Sequence, residues 1–208
     1  MEAAPPLRLV YQDAFLLAAD KPAGLLSVPG RGPDKQDCLS ARVQAAFPDA
    51  LIVHRLDMAT SGLLLFARGA EMQRKLSEQF SQRRIEKCYL AVVGGLTAPE
   101  GEIALPLIAD WPNRPLQKVD LEVGKPSLTR YRLLGHDLQS NTSRLELEPV
   151  TGRSHQLRVH LSAIGHPIVG DLFYGGAVAD RLHLHACQLS FAHPLSGTLL
   201  NLSSPSPF

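Results

Sequence analysis

Three stretches of the sequence gather side chains able to do chemistry. In HRLDMATSGLLLFAR, residues 54–68, His54, Arg55 and Asp57 stand a few positions ahead of an apolar run. In an extended segment side chains two residues apart share a face, so Arg55 and Asp57 are presented together as a paired cation and anion. Such a pair at a loop tip is either catalytic or structural. In the structural case Asp57 accepts hydrogen bonds from the N–H groups of Ala59 or Thr60 and shapes a turn. Spacing does not choose between the two, and a second chemical element elsewhere in the chain has to decide.

The second stretch, TGRSHQLRVHLSAIGHPIVGD, covers residues 151–171. Leu157, Leu161 and Ile164 recur at helical spacing, which predicts a helix from about Ser154 to Gly165 with Arg153 at its N-terminal edge. A cation there works against the positive end of the helix dipole unless it has an anion to meet, either Asp57 or a phosphate. The third stretch, RLHLHACQLSF, puts His183, His185 and Cys187 on one face of a strand. Those three could ligate zinc, but no fourth ligand has motif spacing, and core histidines are the preferred reading. Further cations are Lys21, Arg31 and Lys35 in a loop punctuated by proline and glycine, and Arg83 with Arg84 at the end of an expected helix. The last two complement the helix dipole or meet RNA phosphates.

The elements that must position these groups are legible as patterns. Residues 7–18 read as two short strands, and residues 19–35 as a long loop. Residues 36–47 read as a helix stopped by Pro48. The run 63–67 predicts a strand covered on both faces, and Thr60, Ser61 and Gly62 before it are turn chemistry, which places Asp57 on a loop entering the sheet. Met72, Leu76 and Phe80 mark one stripe of a helix over residues 71–84. CYLAVVGG reads as a buried strand carrying Tyr89, a residue that usually packs. Residues 94–124, with DWPNRP at the centre, form an excursion or small subdomain. Strands return over residues 127–134 and in SRLELEPV, where Leu145 and Leu147 alternate with Glu146 and Glu148, the pattern of an antiparallel sheet.

Composition bounds the rest. At 208 residues with 45% hydrophobic content, the chain can bury a core as one domain or two small ones. Its three cysteines are widely separated, without the spacing of a zinc knuckle or a disulfide framework, which suits a reduced cytosolic setting. The start, MEAAPPLRLV, lacks the basic end and long apolar core of a signal peptide. No apolar run approaches the ~20 residues that span a bilayer, so a soluble, cytoplasmic protein is expected. A formal net charge of +1 says nothing about nucleic acid, because binding depends on where cations cluster.

Taken together, KPAGLLSVPG, HRLDMATSGLLL, CYLAVVGG, EPVTGRSHQLRVHLSAIGHPIVGDLFYG and LHACQLSFAHP, in this order, resemble the RluA family of RNA pseudouridine synthases. DWPNRP and QKV are similar to its short RluA branch, which lacks the N-terminal S4 module of other members. The resemblance implies a single catalytic domain over residues 1–208, with an α/β fold built on a long, mostly antiparallel central sheet and the active cleft across it. It implies isomerisation of uridine to pseudouridine without a metal or other cofactor, by a monomer acting on hairpin loops of tRNA, at the anticodon stem-loop, and of 23S rRNA. Asp57 matches the catalytic aspartate, Arg153 the arginine that pairs with it, and Tyr89 the tyrosine that stacks on the base. Arg55 matches the residue that enters the RNA where the flipped base has left, and His54, Lys21, Arg83, Arg84 and His155 are expected to face RNA. Two other readings stand beside this one: an RNA-binding protein without catalysis, and a metal-dependent hydrolase using His183, His185 and Cys187. The HRD loop of protein kinases is excluded by the absence of a glycine-rich phosphate loop.

Overall fold

The computed structural model describes residues 6–208, so the reading of the first five residues lies outside the described chain. The fold is mixed α/β, with a large, mostly antiparallel sheet and few helices. In chain order the strands are β1 (Leu9–Gln12), β2 (Leu16–Lys21), β3 (Ala50–Ile52), β4 (Ser61–Arg68), β5 (Glu86–Gly94), β6 (Glu100–Ile103), β7 (Leu107–Ala109), β8 (Gln117–Val119), β9 (Thr129–Asp137), β10 (Thr142–Pro149), β11 (Leu184–Ala192) and β12 (Leu199–Ser203). The helices are α1 (Leu39–Ala46), α2 (Gly69–Ser81) and α3 (Gln156–Ala163). The chain divides into two compact units, one running to Glu86 and completed by Ala186–Pro207, the other formed by Lys87–His185 with Phe208.

In the first unit β4 is the buried spine. β2 pairs with it antiparallel along its length and β3 along its second half. Leu63, Leu65 and Ala67 point into a cluster with Leu16, Ala18, Met72, Leu76, Ile85, Leu189, Phe191 and Leu202, and the alternate residues Leu64 and Phe66 are also fully buried. Coverage of both faces is what a continuous apolar run predicts. Each fully buried leucine contributes roughly 1.5–3 kcal/mol, so either face alone is a large part of the unit's stability. Met72 and Leu76 of α2 face this core as expected, but the helix ends at Ser81. Arg83 takes a left-handed backbone (φ 57°), and the Arg83 and Arg84 N–H groups donate to the carbonyls of Phe80 and Gln79. The early stop turns the chain so that Ile85 enters the core, leaving both arginines exposed beyond the cap rather than in the last turn. α1 likewise starts late, at Leu39, where the Cys38 sulfur accepts the Ala41 N–H.

The expected turn at residues 60–62 is shorter in the structure. It closes at Thr60, whose N–H donates to the Asp57 carbonyl, while Ser61 and Gly62 already belong to β4. Gly62 has φ +112°, and a Cβ there would collide with the carbonyl oxygen of Ala186. Glycine is required because two backbones touch, not because the chain turns.

In the second unit β5, β10, β9 and β6 follow one another as antiparallel neighbours, with Tyr89 of β5 opposite Leu147 of β10. β7 and β8 form a separate two-stranded sheet inside the expected excursion. α3 departs from expectation: instead of one apolar stripe, every residue from Gln156 to Leu161 is buried. Its polar side chains therefore need partners. The Arg158 guanidinium donates twice to the Asp171 carboxylate, at 2.8 and 2.7 Å. His160 Nε2 lies 2.9 Å from the Leu105 carbonyl and Nδ1 2.9 Å from the Thr129 hydroxyl. A carbonyl only accepts, so Nε2 carries a proton, and in the neutral ring that burial favours Nδ1 accepts from the Thr129 hydroxyl. Burial holds His160 below the usual histidine range, partly opposed by its bond to the Leu105 carbonyl.

Two outcomes follow from this packing. Gly62→Ala should lower the thermal midpoint far more than Gly69→Ala. Gly69 is also left-handed, at φ +79°, but a Cβ there meets nothing within 4 Å. The Gly69 variant carries only backbone strain of about 1–2 kcal/mol, and equal midpoints for the two variants would refute the contact with Ala186. For His160, the unfolded chain takes up a proton at about pH 6.5 and the folded chain at lower pH. Stability is then complete above pH 6.5 and falls as the pH drops below it. His160→Gln should lower the midpoint at neutral pH yet flatten that acid slope, whereas an unchanged slope would assign the acid sensitivity elsewhere.

Candidate active site

The HRLD loop joins β3 to β4, and its conformation is fixed by side chains buried beneath it. The sequence alternates outward and inward: Arg55 is exposed, Leu56 buried and Asp57 half-buried. Leu56 is held through both main-chain groups, its N–H donating to the Ser27 hydroxyl at 3.1 Å and its carbonyl accepting from it at 2.6 Å. One residue past Asp57, the Met58 carbonyl accepts the Gly24 N–H at 2.8 Å and the Lys21 ammonium at 3.0 Å. The same ammonium donates to the carbonyls of Pro22 and Leu25 at 2.9 and 2.7 Å, and Lys21 has 0% exposure. Burying a lysine is tolerable only with such a cradle of oxygens. Asp57 is therefore clamped on both sides, through Leu56 and through Met58.

Of the residues expected to face RNA, Lys21 is buried and serves the interior instead, while His54, half-buried, also ties the loop to the sheet. Lys21 lies under the loop because β2 runs on to it and turns its side chain toward the Met58 carbonyl. His54 Nε2 accepts the Leu65 N–H at 2.9 Å, and its ring stacks on Phe80 with centroids 4.5 Å apart. It ties the start of the loop to the middle of β4.

In the second unit the TGR segment follows β10 and precedes α3. Gln156, 3% exposed, organises it. Its Oε1 accepts the Thr151 hydroxyl at 2.7 Å and the Arg153 N–H at 3.1 Å, and its Nε2 donates to the Leu128 carbonyl and the Thr129 hydroxyl at 2.9 and 3.1 Å. The main chain of Arg153 is thereby locked while its side chain stays exposed, as expected for a displayed cation. His155 takes a left-handed backbone (φ 53°) that starts the helix, and its Nδ1 lies 2.6 Å from the Tyr174 hydroxyl. Tyr89 is half-buried on β5. Lys87, also on β5, places its Nζ 3.7 Å from where a Cβ on Gly152 would stand, adding a second cation beside the TGR segment.

The first unit thus brings His54, Arg55, Asp57 and Lys21 to one loop, and the second brings Arg153, His155 and Lys87 to one turn; Arg83 and Arg84 stand exposed past α2. Gln156, Lys87 and Tyr174 were missed from sequence. A signal was available only for Gln156, an amide at a helix position adjoining the displayed arginine. His183 precedes β11 rather than lying in it; its ring stacks on Phe208 with centroids 4.7 Å apart, and its Nδ1 is buried without a hydrogen-bond partner. Among the described residues, no three His, Cys, Asp or Glu side chains come together in a way that could hold a metal ion.

A family model described as RNA pseudouridylate synthase matches residues 16–163, a span that includes Asp57, Tyr89 and Arg153. The chain is similar to the protein named dual-specificity RNA pseudouridine synthase RluA from Yersinia pestis, at 50% identity over 96% of this chain and 99% of that one. Its likeness to the protein of the same name from Escherichia coli is 48% over 98% and 95% of the two chains. The solved structure of human RNA pseudouridylate synthase domain containing 1 superposes with a TM-score of 0.82 at 31% identity, covering 100% of this chain and 87% of that one. A family model spanning most of the chain, joined by relatives about half identical across nearly all of it, establishes that the chain belongs to the RNA pseudouridylate synthase family.

Proposed function

We propose that this chain is an RNA pseudouridine synthase of the RluA type, a single catalytic domain that converts uridines in hairpin loops of tRNA, at the anticodon stem-loop, and of 23S rRNA to pseudouridine. The observation that carries the reading is the family match across residues 16–163, which spans the clamped loop bearing Asp57 and the locked turn bearing Arg153. The words dual-specificity in the relatives' names support two classes of RNA substrate. In the reaction the N1–C1′ bond breaks, the base turns, C5 bonds to C1′, the C5 proton leaves and N1 gains a proton. Substrate and product are isomers, so the balance requires no redox partner or metal.

Asp57 acts at the sugar, where a carboxylate held on a rigid loop can add to or stabilise an electron-poor C1′. In this reading Arg153 supplies the guanidinium that pairs with this carboxylate, and Tyr89 stacks on the extruded base. The target base is unreachable within a stack, and flipping it costs about a few kcal/mol. Arg55, exposed beside Asp57, fills the gap with a planar cation. Arg83, Arg84 and His155 contribute contacts to the RNA outside the reacting nucleotide. Lys21 and His54 act through the HRLD loop as positioning residues.

Asp57→Asn should lower the single-turnover rate by roughly three orders of magnitude or more while leaving hairpin affinity nearly unchanged. Tritium release from C5-labelled uridine RNA reads it, and turnover above a few percent of wild type would reject the assignment. The two arginines should separate by substrate. Arg153→Ala should cost about 10- to 100-fold in kcat on a hairpin and on an unstructured oligonucleotide alike. Arg55→Ala should impair the hairpin most, because only there must a stack be opened and refilled. Single-turnover kinetics on both RNAs decide; equal losses for Arg55→Ala would favour a plain ion pair with Asp57.

A further inference from the structure

The excursion between β7 and β8 carries the chain's single tryptophan, Trp111, which is 67% exposed. An indole held in water on a well-formed loop offers a π face on which a planar group can stack. The loop is well formed. The Asp110 N–H donates to Leu116, Leu116 to Asn113 and Asn113 to Asp110, all between 2.9 and 3.0 Å, and the Asn113 amide donates to the Asp110 carboxylate at 2.9 Å. Arg114 lies over the indole with its guanidinium 3.0 Å from the ring centroid. One face of Trp111 is therefore already capped by a planar cation, which leaves the opposite face of the ring for a ligand.

The loop is also tied to the candidate active site within its own unit. The Gln117 N–H, at the start of β8, donates to the Tyr174 hydroxyl at 2.9 Å, and that hydroxyl lies 2.6 Å from His155 Nδ1, two residues from Arg153. A stacking platform is thus held at fixed distance from the turn that displays Arg153.

We infer that the Trp111 and Arg114 pair is a second RNA-binding site, which takes one unpaired nucleobase of the substrate loop on the open face of the indole while Arg114 adds attraction for the adjoining phosphate. The inference rests on the RNA reading above and deepens it by assigning a subsite away from the reacting nucleotide. The chemistry fits an unpaired base. Every base offers a π face to an aromatic ring, whereas a paired helix has its faces covered. Lys118, exposed on β8, is a further cation in this part of the chain. Specificity here is for an exposed base at a set spacing from the target, not for base identity.

Because Trp111 is the single tryptophan, its emission reports the site directly. Wild-type protein is titrated with a hairpin RNA containing a seven-nucleotide loop, about the size of an anticodon loop, and with a fully paired duplex of the same stem. RNA binding is followed in parallel by anisotropy of end-labelled RNA. The hairpin should quench Trp111 emission with the same midpoint as the anisotropy change, and the duplex should not quench it. Trp111→Leu should raise KM for the hairpin by about 5- to 100-fold, the worth of one base stack, with kcat changed less than about twofold. Trp111→Phe should recover most of that loss. Hairpin binding without a change in emission, or pseudouridine formation with unaltered KM in Trp111→Leu, overturns the inference and leaves the proposed activity standing. Wild-type protein that forms no pseudouridine on total tRNA and rRNA removes the activity itself, and a chain that binds no hairpin removes both.

Discussion

The geometry of the HRLD loop depends on one ammonium group taken out of water. Lys21 is wholly buried, and its Nζ sits among the carbonyls of Pro22, Leu25 and Met58. Removing partners from a buried charge costs about 3–5 kcal/mol, far more than a surface ion pair returns. The carbonyls are consequently not free to drift, and Met58 transmits that rigidity to the residue before it, Asp57. A carboxylate on a loop would ordinarily sample several orientations. Here the loop is pinned from below by Lys21, from behind by Ser27 and at its start by His54 on β4.

The second unit reaches the same end with neutral groups. Gln156 uses both lone pairs of its oxygen and both hydrogens of its nitrogen, so its amide has one satisfied orientation. Thr129 passes the chain of hydrogen bonds on to His160, whose other nitrogen anchors Leu105. The Arg153 main chain therefore belongs to a buried polar network rather than to a surface loop. Preorganisation of this kind lowers the ordering cost that binding would otherwise carry. At the HRLD loop and at the TGR turn alike, hydrogen-bonded buried polar groups fix the backbone, and exposed charge projects from it.

Much of this arrangement was legible in the residues. β4 declared itself by an unbroken apolar run, α2 by Met72 and Leu76 one turn apart, and β10 by the alternation of leucine and glutamate. HRLD and TGR marked the loop and the turn that the structure holds rigid. What could not be read are partnerships with main-chain atoms, which leave no residue type behind. Lys21 resembled any other loop cation because its partners are carbonyls, and His54 resembled a surface histidine because its partner is an amide. α3 resembled an amphipathic helix because Gln156, Arg158 and His160 carry polar groups, and their partners Leu128, Asp171 and Thr129 are remote in sequence. Gly62 read as turn chemistry because a close approach to a strand more than a hundred residues away has no local signature.

That long-range contact bears on how the chain matures as it is made. The core around β4 is completed by Leu189, Phe191 and Leu202, and the backbone of Ala186 closes on Gly62. The second unit, by contrast, is drawn almost wholly from one continuous segment, Lys87–His185. During vectorial synthesis the first segment to emerge cannot bury its apolar spine until residues 186–207 follow, whereas the second unit has nearly all of its own strands in hand before then. Until then the β4 run, Leu63 to Ala67, has β2, β3 and α2 as its cover. The core around β4 thus closes only after the strands of the second unit have been made, whereas the clamps on the loop that bears Asp57, Lys21, Ser27 and His54, all lie in the segment made first.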